Sequence, residues 1–171
     1  MIKLETERLI LVPLDANDLA SSIEDYSKME SDLGLKVTDT ILDDEMKSEA
    51  EVMLKKVIDD SENYLWLTNW AVVLKKENKI IGNIVINGYP NQSGEVIVEY
   101  GINEDYRNKG YASESLKELI NWIFRNLKST GVVVDTKKEN IAAHKVLENV
   151  GAIKYKETEE LICWKIEKRK A

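Results

Sequence analysis

Arg107-Asn108-Lys109-Gly110-Tyr111-Ala112, preceded by Tyr106, places two cations and a glycine just ahead of a run with helical periodicity. That arrangement suits an anion. A loop opening a helix aims several unpaired N–H groups at one point. The helix dipole adds partial positive charge there, and Gly110 lets a ligand approach the backbone closely. A phosphate-bearing ligand is the expected occupant. The other reactive side chains are isolated. His144, the only histidine, sits beside Lys145 on a helical stretch and reads as solvated, and without a His/Cys cluster no metal is expected. Cys163, the only cysteine, lies between Ile162 and Trp164 in an alternating run and reads as a structural thiol.

The elements that must position the loop follow from periodicity. Glu95 to Ile102 reads as a strand feeding the loop, with Val96, Val98, Tyr100 and Ile102 on one face and Glu95, Ile97 and Glu99 on the other. After it, Leu116, Leu119, Ile120, Ile123, Phe124 and Leu127 recur at helical spacing, predicting a helix over Ser113 to Leu127. Gly131 to Asp135 is a short buried strand. Strand, helix, strand at this spacing implies a right-handed crossover and a locally parallel pair. Asn140 opens a last helix that Gly151 ends, and Ala152 to Glu157 with Glu160 to Ile166 forms a terminal hairpin.

Upstream, Leu9 to Val12 is a strand closed by Pro13, and Asp15 stands at a helix N-cap. Leu19, Ile23 and Tyr26 stripe that first helix. Met46, Ala50, Met53, Leu54, Val57 and Ile58 stripe a second one after Asp43 and Asp44. Trp70 to Leu74 and Ile80 to Ile86 flank the polar turn Lys75 to Lys79 as an antiparallel hairpin. The four tryptophans read as packing residues, with Trp66 and Trp70 also placed to line an acceptor pocket.

Length and composition bound the function. A chain of 171 residues with 43% hydrophobic residues can build one domain with a real core. Its net charge of −7 argues against nucleic-acid binding, which needs a basic face. Fifteen Asp or Glu stand against five Lys between Asp15 and Glu62, a solvated helical surface or an acidic funnel for an amine. One cysteine forms no internal disulfide, and no run reaches membrane-spanning length, so a soluble cytoplasmic protein is expected.

Order and motifs together resemble the GNAT superfamily of N-acetyltransferases, in particular its RimJ/RimL-type branch. Arg107 to Ala112 is similar to the superfamily's acetyl-coenzyme A signature, Arg/Gln-x-x-Gly-x-Gly/Ala. Glu114 continues the branch's Gly-Tyr-Ala-x-Glu pattern, and Thr6-Glu7-Arg8-Leu9 matches its Thr-Glu-Arg-Leu opening. Trp70-Ala71-Val72 with Ile81-Gly82-Asn83-Ile84 resembles its central hairpin, and Asn140 to Gly151 its closing helix. The likeness runs from Thr6 to about Gly151. It implies an α/β (α+β) fold with a mixed, mostly antiparallel sheet, a splayed parallel central strand pair and about four flanking helices. It also implies acetyl-coenzyme A as acetyl donor, an amine acceptor (a peptide N-terminus or a small molecule), direct attack in a ternary complex, and a possible homodimer.

Residue by residue, the resemblance implies that the backbone of Arg107, Asn108, Lys109, Gly110, Tyr111 and Ala112 holds the pyrophosphate. Arg107 and Lys109 offer side-chain charge as well. Backbone groups from Tyr100 through Ile102 and Asn103 would pair with the pantetheine arm, and an N–H at Tyr100 or Gly101 would polarise the acetyl carbonyl, with Gly101 easing a local bulge. Asn140 would contact the cofactor, although a helix N-cap explains it equally well. An amine acceptor must lose a proton before attack, and Glu99 is the candidate base through partial burial beside the thioester. Glu95 on the same face and an ordered water are the alternatives. The branch more often has Gly at this position and its acid two residues earlier, where this chain has Ile97.

The usual hydroxyls of the last helix are replaced by Ala143 and Leu147, which leaves the general acid unassigned. The same gap motivates the competing reading of a catalytically weak acyl-coenzyme A-binding or regulatory domain.

Overall fold

The computed structural model describes residues 2–126 and 128–169. Strands β1 (Leu4–Glu5), β2 (Leu9–Pro13), β3 (Asn69–Leu74), β4 (Lys79–Ile86), β5 (Glu95–Ile102), β6 (Gly131–Lys137), β7 (Ile153–Glu157) and β8 (Leu161–Glu167) form one sheet. Its order is β1-β2-β3-β4-β5-β6-β8-β7. Every neighbouring pair is antiparallel except β5 and β6, which run parallel as the strand, helix, strand spacing requires. This is the mixed α/β fold expected from the sequence.

Five α-helices cover the sheet among the described residues: α1 (Ala16–Glu24), α2 (Tyr26–Asp32), α3 (Asp44–Asp59), α4 (Tyr111–Phe124) and α5 (Ile141–Asn149). Two short 3-10 turns, Ser61–Trp66 and Glu104–Tyr106, were not foreseen. The fifth helix arises because Asp25 divides what reads as one stripe. Its backbone is extended (φ −156°, ψ 99°), its N–H closes α1 on Ser21 O, and its carboxylate accepts from Lys28 N–H to open α2. Tyr26 therefore belongs to α2. Asp15 caps α1 reciprocally with Asp18. α4 starts at Tyr111, two residues before the expected Ser113, and Leu127 lies outside the described residues. No helix among the described residues is long and apolar enough to cross a membrane.

Alternation along β3 separates two cores. Trp70, Val72 and Leu74 join the α4 and α5 side with Leu116, Leu119, Ile123, Leu147 and Trp164, while Ala71 and Val73 join Leu19, Met29 and Val57 from α1 to α3. β3 is thus apolar on both faces, as a strand covered twice must be. Trp70 is fully buried, and its indole N–H donates to Leu65 O at 3.1 Å. Trp66 and Trp122 stack with ring centroids 4.8 Å apart, so these tryptophans are packing residues. Helices α1 to α3 cover only the β2–β3 side of their face. Toward β7 that face carries exposed side chains, including Ile97, Ile153 and Tyr155.

Candidate functional site

The parallel pairing of β5 with β6 is short. Glu95, Val96 and Ile97 pair with Gly131, Val132 and Val133, and beyond Ile97 and Val133 the strands part. β5 continues against β4 as far as Gly82↔Ile102, and β6 continues against β8 as far as Lys137↔Leu161. A cleft of about 860 Å³ opens between them, bordered by the Arg107–Ser113 loop and by the first turns of α5. Its size suits a sizeable ligand.

Hydrogen bonding decides which backbone groups face that cleft. Asn87 N–H donates to Ile97 O (2.9 Å) and Asn103 N–H to Ile81 O (2.8 Å). The alternation of an antiparallel ladder therefore turns the backbone of Glu99 and Gly101 toward β4, and that of Val98, Tyr100 and Ile102 toward the cleft. On the opposite lip, Lys168 N–H donates to Thr130 O (2.9 Å) and Lys138 N–H to Glu160 O (3.1 Å). The same alternation points the Asp135 backbone into the opening. Two strand edges with unpaired polar groups thus face each other, the setting in which an extended amide-bearing ligand binds as an added strand.

The loop supplies the other half. Asn108 (φ +62°) and Gly110 (φ +84°) are both left-handed, and Gly110 is the residue from which α4 starts. No side chain caps α4, and its first internal bond is Glu114 N–H to Gly110 O at 3.0 Å. The first-turn N–H groups of Tyr111, Ala112 and Ser113 precede that bond and lie along the cleft. α5 begins at the same opening. There Asn140 uses its side-chain oxygen to accept from Ala143 N–H (3.1 Å), so it is an N-cap as well as a cleft residue.

Charge is graded along the cleft. Arg107, Lys137 and Lys145 border its loop end, while Glu99 and Asp135 stand two residues past the point where the strands separate, on one face of the sheet. An anion is favoured at the mouth and a cation at the apex. Tyr100 points to the opposite face. Its hydroxyl is buried without a hydrogen-bond partner among the described residues, and burial pushes the phenol up to about 12, so it stays neutral.

Ten of the residues singled out from the sequence line this cleft: Glu99, Tyr100, Gly101, Ile102, Arg107, Asn108, Gly110, Tyr111, Ala112 and Asn140. Asn103 and Lys109 do not. Asn103 spends its N–H on Ile81 O and its carbonyl on Tyr106 N–H, and Lys109 turns its carbonyl to Arg8 Nη1 at 2.9 Å. Arg107 folds back so that Nε donates to Ile102 O (2.9 Å), leaving the Ile102 N–H and the terminal guanidinium nitrogens for a ligand. Glu95 is committed to Lys165 at 3.1 Å and lies outside the cleft.

Three expectations need correction. Glu99 is exposed rather than partly buried, because no helix covers its face of β5. Gly101 sits in an unbroken β4–β5 register without a bulge. The residue that needs to be glycine is its neighbour Gly82, where a Cβ would lie 2.3 Å from Gly101 O. His144 is buried rather than solvated. β8 brings the Trp164 ring to 5.6 Å from it, and Nε2 donates to Lys137 O at 3.1 Å.

A contact missed in the sequence ties the loop to the N-terminal strands. Glu114 accepts from Thr6 Oγ1 (2.6 Å), Arg8 N–H (2.9 Å) and Arg8 Nε (2.7 Å), and pairs with Arg8 Nη2 at 2.6 Å. Burial pushes the Glu114 carboxyl up, but these hydrogen bonds and the Arg8 charge outweigh it and hold it below the usual glutamate value. The only sequence signal was the co-occurrence of Thr6, Arg8 and Glu114 in two separate motifs. No group of three side chains arranged to hold a metal occurs among the described residues.

The profile of the acetyltransferase (GNAT) domain family matches residues 8–153. The chain is 26% identical over 165 residues to YjdG, an uncharacterized N-acetyltransferase of Bacillus subtilis strain 168, covering 96% of this chain and 97% of that one. Among solved structures it resembles the ribosomal-protein-S5-alanine acetyltransferase of Vibrio fischeri, with TM-score 0.73, 17% identity, and 98% and 97% of the two chains covered. It also resembles RimL, the ribosomal L7/L12 alpha-N-protein acetyltransferase, in complex with coenzyme A, with TM-score 0.66, 15% identity, and 97% and 98% covered.

Proposed function

The chain belongs to the GNAT acetyltransferase domain family and is an acetyltransferase, and from that premise we propose a single-domain, RimJ/RimL-type N-acetyltransferase that uses acetyl-coenzyme A. The observation that carries the proposal is the splay of β5 from β6 directly beneath the uncapped N-terminus of α4. The residues fit this cosubstrate. The left-handed Gly110 opens α4 without a side-chain cap, the first-turn N–H groups of α4 suit a pyrophosphate, and the two free strand edges suit the amides of a pantetheine arm.

When bound, the cosubstrate supplies an acetyl group activated as a thioester. Tyr100 presents its backbone N–H from the β5 edge and stabilises the charge that grows on the acyl oxygen. Glu99, exposed at the apex, takes a proton from the acceptor ammonium directly or through one water. The nitrogen then bonds to the acyl carbon, the carbon–sulfur bond breaks, and solvent supplies the proton to the departing thiolate. No hydroxyl of α5 is needed for that last transfer. Ala143 lines the cleft without one, and Leu147 is fully buried in the core.

The acceptor is a primary amine, and the carboxylates of Glu99 and Asp135 at the apex favour one that arrives as a cation. A calorimetric titration with acetyl-coenzyme A tests the donor, and no binding at millimolar concentration sinks the proposal. Thiol release across a panel of amines and peptide N-termini tests the transfer. Saturation with the donor but no release above background would favour the catalytically weak binding domain instead.

A further inference from the structure

Arg8 lines no part of the cleft, yet it makes four polar contacts to the loop and the first turn of α4, one to Lys109 and three to Glu114. Its backbone is pinned first. Thr6 N–H donates to Leu9 O (2.9 Å) and Leu9 N–H to Thr6 Oγ1 (3.0 Å) in the turn between β1 and β2, while Lys75 N–H donates to Arg8 O (3.0 Å). From this fixed turn the guanidinium crosses the Tyr111 ring at 4.4 Å, grips the Glu114 carboxylate through Nε and Nη2, and extends Nη1 to Lys109 O.

That last contact controls the loop. A trans peptide is planar, with its C=O and N–H pointing in opposite directions. Drawing Lys109 O back to Arg8 therefore turns the N–H of Gly110 away from Arg8. The 109–110 peptide joins Lys109 to the left-handed Gly110, and a backbone flip there is sterically open to the glycine. A flipped peptide would present a carbonyl oxygen where the anion is to sit. Glu114 poses a second problem, because a carboxylate in the first turn of α4 opposes an anion at that terminus, and Arg8 neutralises it.

We propose that Arg8 is a positioning residue for the donor: it locks the 109–110 peptide so that the Gly110 N–H serves the pyrophosphate, and it cancels the charge of Glu114. The inference rests on the acetyl-coenzyme A reading of the cleft. It separates Arg8 from a general attractant of anions. A lysine keeps the charge and the backbone bond to Glu114 Oε1, but its single nitrogen cannot span Lys109 O and Glu114 Oε2 at once as Nη1, Nη2 and Nε do.

The test compares wild type, Arg8→Gln and Arg8→Lys with two donors, acetyl-coenzyme A and S-acetylpantetheine, which lacks the pyrophosphate. Both variants are expected to raise KM for acetyl-coenzyme A roughly 10- to 100-fold, the effect of losing a charge-assisted contact, while kcat and turnover of S-acetylpantetheine stay near wild type. In the free proteins the Gly110 amide NMR resonance should shift in both variants. Equal losses on both donors, or full rescue by lysine, overturn the clamp. If Arg8→Gln does not fold, Arg8→Lys carries the same comparison. Wild-type protein that binds no acetyl-coenzyme A in calorimetry would overturn the donor reading along with the clamp.

Discussion

Glu99 and Tyr100 are neighbours in sequence but serve opposite faces of β5: the carboxylate projects onto the uncovered face, and the phenol is buried toward α4 and α5. Between them runs the edge that borders the cleft, so a base on one side and a backbone donor in the plane meet at one point. Replacing Glu99 by Gln keeps the shape and removes the base. Turnover is expected to fall about 100-fold near neutral pH, and less at alkaline pH where more acceptor is already deprotonated, with donor affinity unchanged. A kcat profile over pH that matches wild type would remove Glu99 from the scheme.

Gly110→Val tests the loop. The residue is left-handed, a conformation costing an L side chain about 1–2 kcal/mol, and its Cβ would stand 3.2 Å from Arg8 Nη2. Calorimetry should show at least roughly tenfold weaker acetyl-coenzyme A binding, since each 1.4 kcal/mol is tenfold. The far-ultraviolet circular dichroism spectrum should stay near wild type. Undiminished affinity would refute the cradle.

Gly82→Ala probes the sheet beneath the site. Its Cβ would come within 2.3 Å of Gly101 O, a backbone atom that moves only if β4 and β5 move apart. Urea denaturation should show a loss of roughly 1–3 kcal/mol, as for other overpacked positions. Gly101→Ala is the control. Its nearest neighbour would be Asn83 Oδ1 at 4.0 Å, and its stability should stay near wild type.

The Glu114 carboxyl is held below its ordinary value of 4.5 in the folded chain, so folding favours its charged form. The stability it contributes is complete above the unfolded value and disappears as pH falls through the folded one. Urea midpoints measured from pH 6 down to pH 3 should decline in wild type, and decline less in Glu114→Gln. Parallel curves would show that the clamp carries no proton-linked stability.

Much of this architecture is legible in local pattern. The alternation of Val96, Val98 and Ile102 defines β5 from end to end, and one glycine ahead of a periodic run locates the loop. What escaped was set by contacts distant in sequence or by caps that override periodicity. Leu19, Ile23 and Tyr26 keep helical spacing straight through Asp25, and only the cap geometry shows the break. His144 is buried by a tryptophan 20 residues further on. Arg8 and Glu114 stand 106 residues apart, and nothing local to either announces the other. The two residues of β1 are too few for any period to register.

The place of β8 has a kinetic consequence. It follows β7 in the chain yet lies inside it in the sheet, with β6 on its other side. During synthesis, β6 waits with one edge exposed while α5 and β7 emerge, and β7 has no partner until residues 161–167 arrive. The acetyltransferase sheet therefore closes late and all at once, through long-range pairing of the slow kind. Until then β6 carries an open strand edge, the kind of surface that pairs with other chains.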